Sequence, residues 1–152
     1  MLASTPDQSP SVSLTKLEQA AIAFLRQSRA RNNWFLLRTL PPAIVRLRDL
    51  NIDVELSYRY GLRQVSGRQP DIITSSDSLM YCLSFDWGGN TLEINGRYEV
   101  PTRGKAQRFF RIFRVPQYNS AGKTVNLLLL GGKLIRGVRK AFAFVSLQWR
   151  QS

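Results

Sequence analysis

Asn51-Ile52-Asp53-Val54-Glu55-Leu56-Ser57-Tyr58-Arg59-Tyr60 alternates apolar and polar side chains without a break. In extended backbone successive side chains point to opposite faces. Ile52, Val54, Leu56, Tyr58 and Tyr60 therefore fall on one side, and Asp53, Glu55, Ser57 and Arg59 on the other. This reads as a half-buried strand with carboxylates on its solvated face, and it puts a sheet at the centre of the expected fold. Further along, residues 61–78 read as a polar loop containing Gly61, Gly67 and Pro70. Leu79, Tyr81, Leu83, Phe85 and Trp87 then alternate again. Trp87-Gly88-Gly89-Asn90 reads as a turn, and Leu92, Ile94 and Val100 as the returning strand of a hairpin with Thr91, Glu93 and Asn95 outside. A third strand is expected at 107–115 after a turn at 101–104, with residues 116–122 supplying the next turn.

Helices are expected on both sides of these strands. Ser13 or Thr15 can cap one that runs to about Arg31, with Leu14, Leu17, Ala21, Phe24 and Leu25 on a single stripe. Arg26, Arg29 and Arg31 crowd its end, where cations complement the helix dipole or could meet phosphate. The apolar segment from Trp34 to Leu37 precedes Leu40-Pro41-Pro42, where a second short helix could begin and run to Asp49 or Leu50. Residues 124–148 read as mostly helical, with Leu134, Ile135, Val138, Phe142 and Val145 inward and Lys133, Arg136, Arg139 and Lys140 on the opposite flank. Gly131, Gly132 and Gly137 leave a strand open for the first half of that segment. Residues 1–13, rich in Ser, Pro, Thr and Gln, read as a flexible tail. The expected fold is a single α+β domain over residues 14–152: an antiparallel β-sheet or sandwich-like core with an N-terminal helix and a C-terminal basic amphipathic helix.

The chain has 152 residues, 22 Lys or Arg, 10 Asp or Glu and no histidine, for a net charge of +12. A chain this long buries about 68–70% of its unfolded surface and can hold a core without disulfides or metal. Without histidine it lacks the commonest general base and the commonest metal ligand. Cys82 alone cannot form a zinc site or an internal disulfide, and suits a reducing compartment. Gly122-Lys123-Thr124 resembles the end of a phosphate-binding loop, but Gln117 stands where that pattern needs glycine. Asp86, Glu93 and Glu99 are available to a metal-dependent nuclease, yet the alternation sets Glu93 and Glu99 outward. The expectation is a binding or structural protein without catalytic residues, metal or cofactor.

The charge is unevenly placed. Up to Glu99 there are 11 basic and 10 acidic residues, whereas after it there are 11 basic residues and no acid. Such a run either forms a solvated face or meets a polyanion, such as a phosphodiester backbone or an anionic leaflet. Arginine outnumbers lysine 17 to 5, and its planar fork suits phosphate or carboxylate. Lys105-Ala106-Gln107-Arg108-Phe109-Phe110-Arg111-Ile112-Phe113-Arg114 interleaves arginine with aromatics, so a strand here must carry both on at least one face. Nucleic-acid-binding sheets use that combination, stacking bases on rings while arginine holds phosphate; an edge strand covered by arginine stems is the structural alternative. The candidate nucleic-acid contacts are Arg103, Lys105, Arg108, Phe110, Arg111 and Arg114. The candidate membrane contacts are Lys133, Arg136, Arg139 and Lys140, whose helix would lie on an anionic surface or pack on the core. Asp53, Glu55, Glu93 and Glu99 could accept arginines from another copy, which points to a homo-oligomer. No apolar run reaches the roughly 20 residues that span a bilayer, and Asp7 with Pro6 and Pro10 disfavours a targeting peptide.

Asp53-Val54-Glu55-Leu56, residues 79–86, Asn90-Thr91-Leu92-Glu93-Ile94-Asn95, residues 108–115 and the expected helix at 134–149 together resemble the small matrix proteins of nonsegmented negative-strand RNA viruses, bornaviruses especially. The likeness is one of size, basicity and element order over about residues 50–150. It implies a compact sandwich-like domain that self-assembles, binds the inner face of a membrane, touches RNA or nucleocapsid, and is carried in the virion. Two departures stand out: Pro41-Pro42-Ala43-Ile44 lacks the tyrosine of a Pro-Pro-x-Tyr budding motif, and the N-terminal helix has no counterpart. A sequence-tolerant RNA- or DNA-binding accessory protein without membrane function is the alternative, and a subunit facing an acidic protein partner is a third.

Overall fold

The computed structural model describes residues 12–126. Ser13 caps the first helix by accepting the Lys16 N–H, and α1 runs Leu14–Arg31 with Leu17, Ala21, Phe24 and Ser28 buried at helical spacing. Asn33 caps a single turn, α2 (Trp34–Leu37), accepting from the Phe35 and Leu36 N–H groups at 3.1 and 3.3 Å.

After the prolines the expected helix is replaced by a strand, β1 (Ala43–Leu47). Ile44 and Val45 are β-branched, and Ala43, Ile44, Val45 and Leu47 are all buried. A short run buried on both faces carries no period, so its partners decide. β1 pairs antiparallel with β2 (Ile52–Ser57) through a tight turn in which Asn51 takes a positive φ of 53°. β2 pairs antiparallel with β3 (Gly61–Val65), and β4 (Ile72–Thr74) lies parallel to β1, giving the order β3-β2-β1-β4. The sheet is thus mixed rather than antiparallel. The expected loop at 61–78 contains β3, β4 and the start of a helix. Ile73 and Glu99 exchange backbone hydrogen bonds of 2.8 Å, extending the β4 edge by one bridge.

The three later expected strands are helices: α3 (Ser76–Ser84), α4 (Gly88–Asn95) and α5 (Ala106–Ser120). The Ser75 side chain caps α3 by accepting from the Ser78 N–H at 3.1 Å, and Asp49 accepts from the Ser76 N–H at 2.8 Å. Ser76, Leu79, Cys82 and Leu83 then face inward, a 3-3-1 spacing that only a helix places on one side. Gly88 and Gly89 are contact points rather than a hairpin turn. A Cβ on Gly88 would stand 2.6 Å from the Cys82 Cα, and one on Gly89 would stand 2.3 Å from the Phe113 Cβ.

One core forms where α1 packs on β3 and α5 on β1, with α3 laid against α1. Phe24 lies 5.4 Å from Phe113 and 5.9 Å from Tyr58, and Phe109 lies 4.8 Å from Phe113. The outer face of β2 is also shut from water. Asp53 pairs with Arg46 across the β1–β2 register, and Glu55, 2% exposed, pairs with Arg63 across β2–β3 and with Arg68. The expectation that Asp53 and Glu55 face solvent fails because guanidinium groups from neighbouring segments cover them. Asp53 in turn holds the Arg46 guanidinium above its ordinary pKa through a hydrogen bond and charge. The class α+β holds; the expected C-terminal amphipathic helix and the 1–11 part of the expected tail lie outside the described residues. No helix among the described residues is long and apolar enough to cross a membrane.

Candidate nucleic-acid interface

As a helix, the arginine- and phenylalanine-rich segment sorts itself. Phe109, Phe110, Ile112, Phe113, Val115 and Pro116 are buried, whereas Gln107, Arg111, Arg114 and Tyr118 face out at 4-3-4 spacing. A strand would have mixed rings and guanidinium groups on one face; the helical period separates them. Phe110 is therefore corrected as a stacking platform. It is 2% exposed and set edge-on to Tyr98 at 5.1 Å and to Phe109 at 5.4 Å, because its side of α5 faces the core.

The remaining expected contacts divide into engaged and available cations. Arg108 lies 3.8 Å from the buried Asp71 carboxylate. Asp71 also accepts the Ile44 N–H at 3.0 Å and the Lys105 N–H at 3.2 Å, so this acid joins β1, the 101–105 turn and the start of α5. Arg103 and Lys105 have exposed side chains in the approach to α5. Arg111 and Arg114 are exposed, and no described carboxylate lies within 4 Å of either. The proposed intermolecular acceptors are largely taken within the chain: Asp53 and Glu55 are buried and paired, and Glu99 meets Arg48 at 2.7 Å. Lys133, Arg136, Arg139 and Lys140 lie outside the described residues.

Beside Arg111 and Arg114 an open groove of about 310 Å³ runs between α2 and α5. Leu36, Leu40, Val115 and Val125 supply its apolar lining, and Thr39 and Tyr118 stand beside the arginines. A pair of asparagines ties together the segments that flank it. The Asn32 amide donates to the Asn119 Oδ1 at 2.8 Å, and the Asn119 amide donates to the Asn32 Oδ1 at 2.9 Å. Asn32 Oδ1 also accepts the Val125 N–H at 2.8 Å, and Asn119 donates to the Lys123 carbonyl at 2.9 Å. Gly122, with φ of 71°, turns the chain back after α5, so the short Gly-Lys-Thr match is a helix end. The groove residues Leu36, Thr39, Leu40 and Tyr118 escaped sequence reading because they come from segments far apart in sequence, brought together by the asparagine pair and by the Asn33 N–H donating to the Val125 carbonyl at 2.9 Å. Tyr118, 43% exposed, had one legible signal, its place one turn after Arg114.

Comparison with protein-family models, curated proteins and solved structures finds no match for this chain. Three segments that carry the matrix-protein resemblance, residues 79–86, Asn90 to Asn95 and 108–115, lie within or across helices here rather than strands.

Proposed function

We propose that this chain is a non-enzymatic protein that binds nucleic acid through phosphate contacts made by the outer face of α5 and the turn before it. The observation that carries the reading is the pair Arg111 and Arg114, exposed one helical turn apart and free of described carboxylates, with Arg103 and Lys105 upstream. Elsewhere Arg46, Arg63 and Arg68 are committed to buried acids, whereas Arg103, Lys105, Arg111 and Arg114 stand close together in sequence and open to a polyanion. Binding is expected to be sequence-tolerant and salt-dependent. Each neutralised phosphate contributes about −0.7 to −0.9 to the slope of log affinity against log salt, so Arg111→Gln with Arg114→Gln should flatten that slope by about 1.4–1.8. A salt titration with labelled RNA decides it: affinity indifferent to salt, or unchanged in the double variant, removes the reading.

A wider role of the matrix kind, self-assembling at the inner face of an anionic membrane and carried in a virion, draws support from Phe35. This residue is 77% exposed and is followed three positions later by the exposed Arg38, a combination suited to a leaflet surface. In that role Lys133, Arg136, Arg139 and Lys140 add the second basic patch.

A further inference from the structure

We propose that the groove between α2 and α5 receives one unpaired base, so that the nucleic acid bound by this protein is single-stranded; the inference rests on the nucleic-acid reading above. Phosphate contact alone requires only exposed arginine. Here Arg111 and Arg114 border a recess with an apolar floor, formed by Leu36, Leu40, Val115 and Val125, and the half-exposed ring of Tyr118 stands beside them. A duplex keeps its bases stacked and paired and offers this surface only phosphate and groove edges. A single strand can turn a base onto an aromatic and apolar surface while its phosphates stay with the arginines. The charge beside it selects an anionic ligand, and a recess of about 310 Å³ that joins apolar side chains to a tyrosine suits a ring bonded to a phosphate chain. Thr39 adds polarity: its hydroxyl proton goes to the Leu36 carbonyl at 2.7 Å, leaving the oxygen as an acceptor facing the groove's ligand.

The test uses the full chain and fluorescence anisotropy with a short unstructured single strand and the duplex of the same sequence, in parallel salt series. The single strand should bind at least tenfold more tightly. Tyr118→Ala should weaken single-strand binding about 5- to 140-fold while leaving the salt slope and duplex binding unchanged, and Tyr118→Phe should retain affinity. Thr39→Trp, at an exposed position, should fill the recess and weaken the single strand in the same selective way, independently of any effect of Tyr118→Ala on folding. Equal binding of both forms, indifferent to Tyr118→Ala and Thr39→Trp, overturns the groove proposal and leaves phosphate binding standing. Binding of neither form removes the nucleic-acid reading itself. Phosphatidylserine vesicles that bind in a Tyr118-dependent way, without single-strand binding, assign the recess to lipid and overturn the proposal.

Discussion

A proline inside a helix removes one N–H donor, and in α5 the loss falls on the carbonyl of Ile112, four residues before Pro116. That carbonyl is not left empty. The hydroxyl of Tyr58, 1% exposed, donates to it at 2.9 Å from the end of β2. The buried phenol thus fills, from 54 positions away, the carbonyl of Ile112 that the proline leaves without a helical donor. Tyr58→Phe should therefore cost about 1–3 kcal/mol, the penalty for an unpaired buried acceptor. In a Pro116→Ala background the new Ala N–H can take over the carbonyl, so the same change should cost less. Chemical denaturation of the four proteins measures the coupling, and strictly additive costs would show that the Tyr58 bond does not serve the proline gap.

At the scale of elements, the helices are positioned by close approach as much as by apolar area. α4 comes against α5 where Gly89 has no side chain, and Phe113 beneath it is boxed in by Phe24 and Phe109. Gly89→Ala forces a Cβ into that ring stack and should cost about 1–3 kcal/mol. For a chain of this size each kcal/mol lowers the melting temperature by about 2–4 °C. Calorimetry reads the shift, and an unchanged melting temperature would mean that α4 slides freely off Phe113. Arg111 and Arg114 stand on the opposite side of α5 and touch none of this packing, so their replacement should alter binding and leave melting nearly unchanged.

Across the whole molecule two consequences follow from what is buried. Burial pushes the Tyr58 phenol above its ordinary range, eased slightly by a hydrogen bond with Ser28, and pushes the Cys82 thiol up to about 12. Both groups hold their protons longer folded than unfolded, so stability present below their unfolded values, about 8.5 for cysteine and 10 for tyrosine, is lost as pH rises beyond them. Unfolding free energy should decline from about pH 9 upward, and the Tyr58→Phe, Cys82→Ala double variant should show a flatter alkaline limb. A wild-type limb no steeper than that of the double variant would refute the assignment. The second consequence concerns self-association. With Asp53 and Glu55 sealed inside, a self-associating chain would have to use exposed side chains, among them the apolar Phe35, Phe85 and Ile94. Light scattering should show an oligomer that persists at high salt and grows with anionic liposomes. A monomer throughout, with or without RNA or liposomes, would end the matrix reading.

Local chemistry sufficed for α1, whose Ser13 cap and Leu17-Ala21-Phe24 stripe need no distant partner, and for the extended β2 segment, whose alternation is unbroken. It also sufficed for the concentration of cations after Glu99, since charge is a property of composition. Tertiary structure decided the rest. Leu79 to Leu83 satisfy a period of two and a period of 3.6 equally well over so few residues, and the packing of α3 on α1 chose between them. Asp53 and Glu55 looked solvated because their own neighbours are apolar; they are buried because strand register brings Arg46 and Arg63 over them. The arginines of α5 were legible as charge, but the recess beside them forms between segments distant in sequence, which Asn32 and Asn119, 87 positions apart, help to join. Periodicity and charge are carried by neighbouring residues, whereas which side chain covers which depends on pairings that no local stretch contains.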